Sequence, residues 1–261
     1  MPCSRRGGSG EHLTLAEAAA IGLAGFAAGA VNGAAGGGSI VSFPVLLWTG
    51  FPAVTANVTS TVGIWAGYLG GVAGYRREVR AQRDRIRRFA PAAVTGAVAG
   101  VVVLLTTPER LFRSMAPWLI LAASVLFLVQ PIVARAVAAT SIGGEKAPLL
   151  HAGVFLASVY GAYFGAGFGV ILLALLGVFL ADDLQRLNGL RGVIALTVNC
   201  VALILFAVTA PVAWDAVALM APASFVGGFM GAVLARRLRP VWFRAVVIGF
   251  GVVAGTRLLI V

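Results

Sequence analysis

The chain has 261 residues, 60% of them hydrophobic and only 11% charged, with a mean hydropathy of +0.97. A soluble domain carries roughly a quarter charged residues, and here the apolar residues come in long blocks, so the chain reads as a polytopic membrane protein. The net charge of +11 lies mostly in short arginine clusters between those blocks, which marks topogenic charge rather than a nucleic-acid surface.

Residues 1–12 form a tail, read as uncleaved because many hydrophobic segments follow it. The first apolar segment, 13–48, holds one charge, Glu17. As a straight helix it would run roughly 50 Å, against a hydrocarbon core of about 30 Å. Near its middle stands "NGAAGGGS" (32–39), so it is expected to be two shorter helices joined by a break at 34–38. Apolar segments follow at 51–73, 89–107 and 115–134. Segment 149–180 repeats the first anomaly: it is overlong, and "GAYFGAGFG" (161–169) places a second expected break at 163–168. Segments 184–209, 212–234 and 241–260 complete the chain.

The arginines constrain topology. Tyr75–Arg88 holds seven arginines and two acids, and "RRLRPVWFR" (236–244) holds four arginines and no acid; both are expected in the cytoplasm. If every segment crossed once, the two would face opposite sides. If 149–180 is a hairpin that enters and leaves on one face, they agree, and 209–215 falls outside. The alternative is one tilted helix and a loop that violates the rule.

The two halves also share a plan: a glycine cluster, an apolar half-helix, a short turn, and a helix that starts near Asn57 or Asn188. The expected fold is therefore an all-α polytopic membrane protein with two inverted repeats, 13–140 and 149–261. Each repeat would be a glycine-broken helical hairpin followed by three transmembrane helices.

Irregular backbone at membrane depth is tolerated where it lines a cavity or is buried in protein. Gly36, Gly37 and Gly38 permit such a break, and Ser39 can cap the half-helix that follows. The exposed N–H groups there would make an anion site without a basic side chain; close helix packing through small residues is the other reading. On the first reading, Gly37→Leu would fill the site and leave the fold intact. Asn57, Thr59 and Ser60 are polar candidates in the next element, with capping and helix packing as the plainer alternative. Gly165 and Gly167 are their counterparts at the second break. Asn188 and Arg191 share a helix face. An intramembrane arginine is a functional candidate, unless it snorkels to the interface. No carboxylate lies deep in a segment, and the two cysteines and two histidines lack disulfide or metal-ligand spacing. The cargo is thus expected to be an anion, with no cofactor and no metal.

Over "GFAAGAVNGAAGGGSIVSFPVLLWTGFPAVTANVTSTVG" (25–63), "GAGFG" and "LNGLRGVIALTVN" (187–199), the chain resembles the TauE/SafE family of sulfite exporters. The resemblance implies a secondary transporter of sulfite, a sulfonate or a related sulfur oxyanion in the bacterial inner membrane, with the lipid bilayer as its other partner. Other readings are a structural or assembly membrane protein without cargo, a carrier of a non-sulfur carboxylate, and a membrane enzyme, which the absence of a catalytic constellation disfavours.

Overall fold

The computed structural model describes residues 13–139, 148–180, 182–235 and 241–260. The tail 1–12 and positions 236–240 of the second basic loop lie outside the described residues.

Among these residues the fold is all helical. The first half contains α1 (Leu15–Ala34), α2 (Ser39–Trp48), α3 (Ala53–Gly74), the short α4 (Arg76–Arg80), α5 (Arg83–Thr106) and α6 (Glu109–Ala139). The second contains α7 (Pro148–Tyr163), α8 (Phe168–Phe179), α9 (Leu184–Thr209), α10 (Trp214–Ala235) and α11 (Val241–Ile260). Five stretches, in α1, α5, α6, α9 and α10, are long and apolar enough to cross a membrane. Their outward faces suit lipid. On α5, Ala93, Ala97 and Val101 are buried while Val94, Val98 and Val102 are exposed, so the helix is apolar on both faces, as a membrane span requires.

The helix ends have local causes. Thr14 and Glu17 form a capping box that starts α1. The N-terminus of α3 is capped from a distance: the Glu109 carboxylate accepts from the N–H groups of Ala53 (2.6 Å) and Val54 (3.1 Å), placing negative charge at the positive end of the helix. Asp183 caps α9 through Gln185 N–H.

Two of the expected loops are helical instead. The basic stretch 75–88 carries α4 and the first turns of α5, and α6 starts already at Glu109. Arginine, glutamate and leucine are good helix formers, so charge ends a membrane span without ending the helix. This arginine-rich stretch is tied to the start of α9. Gln82 Nε2 donates to the Arg186 carbonyl at 2.7 Å, and Asp182 pairs with Arg85 and Arg186. Burial alone would raise the Asp182 pKa, but hydrogen bonds from Arg85 and the Asp183 N–H, with the charges of Arg186 and Arg85, outweigh it and hold the carboxyl below its ordinary value.

Helices α1, α3 and α10 meet through glycine. A Cβ on Gly29 would stand 2.1 Å from the Ser224 carbonyl oxygen, and one on Gly228 would stand 2.0 Å from that of Gly67. Backbones touch directly there, which is how helices associate where no water drives them together. The same contact recurs across the molecule. Gly227 and Gly231 of α10 abut the carbonyls of Phe26 and Ala30 on α1, as Gly96 and Gly100 of α5 abut those of Phe155 and Val159 on α7.

Candidate functional site

The first break leaves helical geometry at 35–38 and the second at 164–167. Gly36 has φ +79° and Gly37 φ +117°, a region that costs any residue with a Cβ roughly 1 kcal/mol or more. The two breaks lie against each other. A Cβ on Gly37 would be 2.4 Å from Gly167 N, and one on Gly36 would be 2.5 Å from Gly169 Cα. A leucine at 37 would therefore disturb the crossing itself, rather than only fill a site.

The dangling groups of each break are caught by named side chains. Asn32, in the last turn of α1, turns its Oδ1 onto the N–H groups of Gly37 (2.9 Å) and Gly38 (2.7 Å). Those two donors, expected from sequence to face an anion, are engaged within the chain in this conformation. The ends of the preceding helices are held from the opposite halves. Arg191 Nη1 donates to the Ala35 carbonyl at 2.5 Å, and Asn57 Nδ2 donates to the Tyr163 carbonyl at 2.9 Å.

Beside the first break lies a small cavity of about 10 Å³, close to the least that admits one water. Its polar wall is Asn32, Tyr68, Tyr75, Asn188 and Arg191; Gly33, Gly71 and Gly192 also line it, and a Cβ on Gly33 would stand 2.1 Å from the Gly228 carbonyl oxygen. Arg191 is only 2% exposed, so it does not snorkel, and no carboxylate among the described residues pairs with it. Asn32 is pinned in one orientation by the two N–H groups on its oxygen, so its Nδ2 is turned away from the break, buried and without a hydrogen-bond partner. A charged donor and an unpartnered amide donor on one small cavity favour an acceptor-rich, negatively charged guest.

The profile of the family described as Sulfite exporter TauE/SafE matches residues 21–258. The chain belongs to the TauE/SafE family. A probable membrane transporter protein of Haemophilus influenzae is 26% identical over 215 residues, which covers 80% of this chain and 81% of that protein. No solved structure matches.

Of the eleven candidate residues read from the sequence of this TauE/SafE chain, Asn188 and Arg191 line the cavity. Gly36, Gly37 and Gly167 build the crossing of the breaks. Gly38 packs on the Ala28 carbonyl, and a Cβ on Gly165 would lie 3.3 Å from Ser39 Oγ. Thr59 accepts from Ala213 N–H at 3.0 Å, and Ser60 shares a 2.6 Å hydrogen bond with Ser42. The second break is the less polar of the two: where α1 has Asn32, α7 has Gly161, against which the Phe168 ring lies. The sequence reading missed Asn32, Tyr68 and Tyr75. An asparagine five residues before a glycine run is a usable signal for the first, since its amide reaches the N–H groups of the coming break. Among the described residues no cluster of His, Cys, Asp or Glu could hold a metal.

Asn57 is fully buried and the hydrogen bond from its side-chain amide ties α3 to the end of α7. Asn57→Ala is therefore expected to lower stability by about 1–3 kcal/mol, because it leaves the Tyr163 carbonyl unsatisfied, while changing anion affinity little. Thermal melts alongside ligand titration of the purified variant test this; a parent-like melt with weakened binding would return Asn57 to the substrate site.

Proposed function

We propose that this membrane transporter carries a small sulfur oxyanion, sulfite or a sulfonate, by alternating access around the cavity between α1, α3 and α9, which at about 10 Å³ is closed to the anion in this conformation and widens in the transport cycle to take it. The observation that carries the reading is the pairing of buried Arg191 with the oriented amide of Asn32. A buried guanidinium without a carboxylate costs several kcal/mol, and an anionic cargo would relieve that cost when bound. The expected glycine site is thus shifted: Gly36, Gly37 and Gly167 form the crossing that positions the binding residues, with Gly165 against Ser39 beside it and Gly38 packed on Ala28 of α1.

The chain is read as two inverted repeats, 13–140 and 149–261, each a broken hairpin followed by three crossings. Three observations support this. Ala35 and Gly36 N–H both bond the Val31 carbonyl, as Phe164 and Gly165 N–H both bond that of Tyr160, at the same spacing of 129 residues. The start of α2 turns back onto α1, with Gly38 against Ala28. The glycine contacts of α10 on α1 reproduce those of α5 on α7. With an odd number of crossings per repeat, the cytoplasmic face carries 75–88 and 236–244, the outside carries 209–215, and the membrane is the inner one.

Flux of labelled sulfite in proteoliposomes tests the function. Accumulation above that of protein-free vesicles is expected, competed by sulfonates; movement of a cation alone would overturn the reading. Topology is tested separately in a background without Cys3 and Cys200. A cysteine at exposed Pro211 should react with an impermeant maleimide added outside cells, and one at exposed Ala81 only after permeabilisation. The reverse pattern would overturn the assigned orientation.

A further inference from the structure

Resting on the carrier reading above, we propose that the site admits a monovalent anion, and that an oxyanion with a second ionisation near neutrality travels as its protonated monoanion, with its hydroxyl donating to Asn188 Oδ1.

The first ground is charge. Among the described residues the cavity wall contains one charged side chain, Arg191. The other titratable groups on elements around α9 do not alter that count. Helix α3 brings the phenols of Tyr68 and Tyr75, which line the cavity. Glu78 of α4 lies against Gly189, outside the wall. Asp182, before α9, is held by Arg85 of α5 and by Arg186. The ring of His151 of α7 lies tilted against Phe89, and α8 carries no titratable side chain. One guanidinium neutralises one negative charge; a dianion would leave the second buried and unpaired, which is strongly unfavourable in a dry site.

The second ground is hydrogen bonding. Asn32 Nδ2 and Arg191 can only donate, and both call for acceptor oxygens. Asn188 makes the opposite demand. Its Oδ1 is a buried acceptor without a partner, in a residue that is 7% exposed. Once the cavity widens from its present volume of about 10 Å³, a protonated oxyanion would present acceptor oxygens to the first two and an O–H to the third. Sulfate and fully ionised sulfite satisfy only the donors. The proton then crosses on the cargo itself, one proton and one negative charge with each molecule, and no carboxylate relay in the helices is required.

The test is the pH dependence of initial rates in proteoliposomes, with equal pH on both sides, the membrane potential clamped, and the leak of protein-free vesicles subtracted. The probes are radiolabelled sulfite and methanesulfonate, a permanent monoanion. At fixed total sulfite the rate is expected to fall by about tenfold per pH unit above the second ionisation of sulfite. Methanesulfonate flux should stay flat over the same range, and sulfate should fail to inhibit. Sulfite flux that is flat or rises with pH, or sulfate inhibition as strong as that by methanesulfonate, overturns the proposal. Methanesulfonate transport without sulfite transport overturns it and leaves the carrier reading standing; transport of neither overturns both. Asn188→Leu should lower the ratio of sulfite to methanesulfonate flux at acidic pH by about tenfold, and an unchanged ratio in a folded variant also overturns it. Where that variant does not fold, the pH series on the parent protein decides alone.

Discussion

Gly29→Leu is expected to give little or no folded protein in the membrane. The Cβ alone would stand 2.1 Å from the Ser224 carbonyl oxygen and 2.7 Å from two further backbone atoms of that residue. Backbone cannot swing aside as the end of a flexible side chain can, so α1 and α10 must separate. That separation breaks a dispersion-driven contact along both helices, because lipid offers no hydrophobic drive to restore it. The cost is on the order of 3–5 kcal/mol or more, a large part of a typical total of about 5–15 kcal/mol. Gly249→Leu is the matched control: a Cβ there meets nothing within 4 Å, and the variant should fold as the parent does. Detergent-extracted yield and thermal melting of the two variants decide the matter. If Gly29→Leu melted like the parent, the close α1–α10 contact would be wrong.

Arg191→Met should separate stability from transport. Methionine keeps much of the side-chain volume and removes the charge. The variant loses the hydrogen bond to the Ala35 carbonyl, a cost of about 1–3 kcal/mol. It also sheds the penalty of burying a guanidinium that has no carboxylate partner, which is of comparable or larger size. The folded yield and melting temperature are therefore expected to stay at or above those of the parent. Sulfite flux is expected to fall at least about thirtyfold, since removing one partner of a buried charged contact costs about 2–5 kcal/mol. A folded variant with parent-like flux would remove Arg191 from the site. A variant that fails to fold would show that the tie to Ala35 is the main task of the arginine.

The two predictions draw on different layers of information. The membrane class followed from composition, and the interruption of both overlong segments followed from length set against bilayer thickness. The helix ends at Ala34 and Tyr163 lie within one residue of the positions where the glycine clusters placed them, because only glycine occupies positive φ without strain. The GxxxG spacing of Gly25, Gly29 and Gly33 also stands in the sequence. Arg191 could be named as a candidate, since an arginine inside an apolar block is rare enough to be conspicuous.

Local features are written in the amino-acid sequence: which segments are apolar, where each must break, and which polar residues lie at depth. Each depends on a residue and its near neighbours, or on a length compared with a fixed thickness. The use of those residues was decided by tertiary structure. Whether the N–H groups of Gly37 and Gly38 face a ligand or an amide depends on where the last turn of α1 puts Asn32. Whether Arg191 snorkels or stays buried depends on the Ala35 carbonyl, 156 residues away in the chain. Asn57 and Asn188 hold comparable places in their helices, yet one bonds the end of α7 and the other lines the cavity. Hydrogen-bonding capacity is written in the residue, but its partner is set by which helices come within about 3 Å of it, and that distance belongs to the packed assembly.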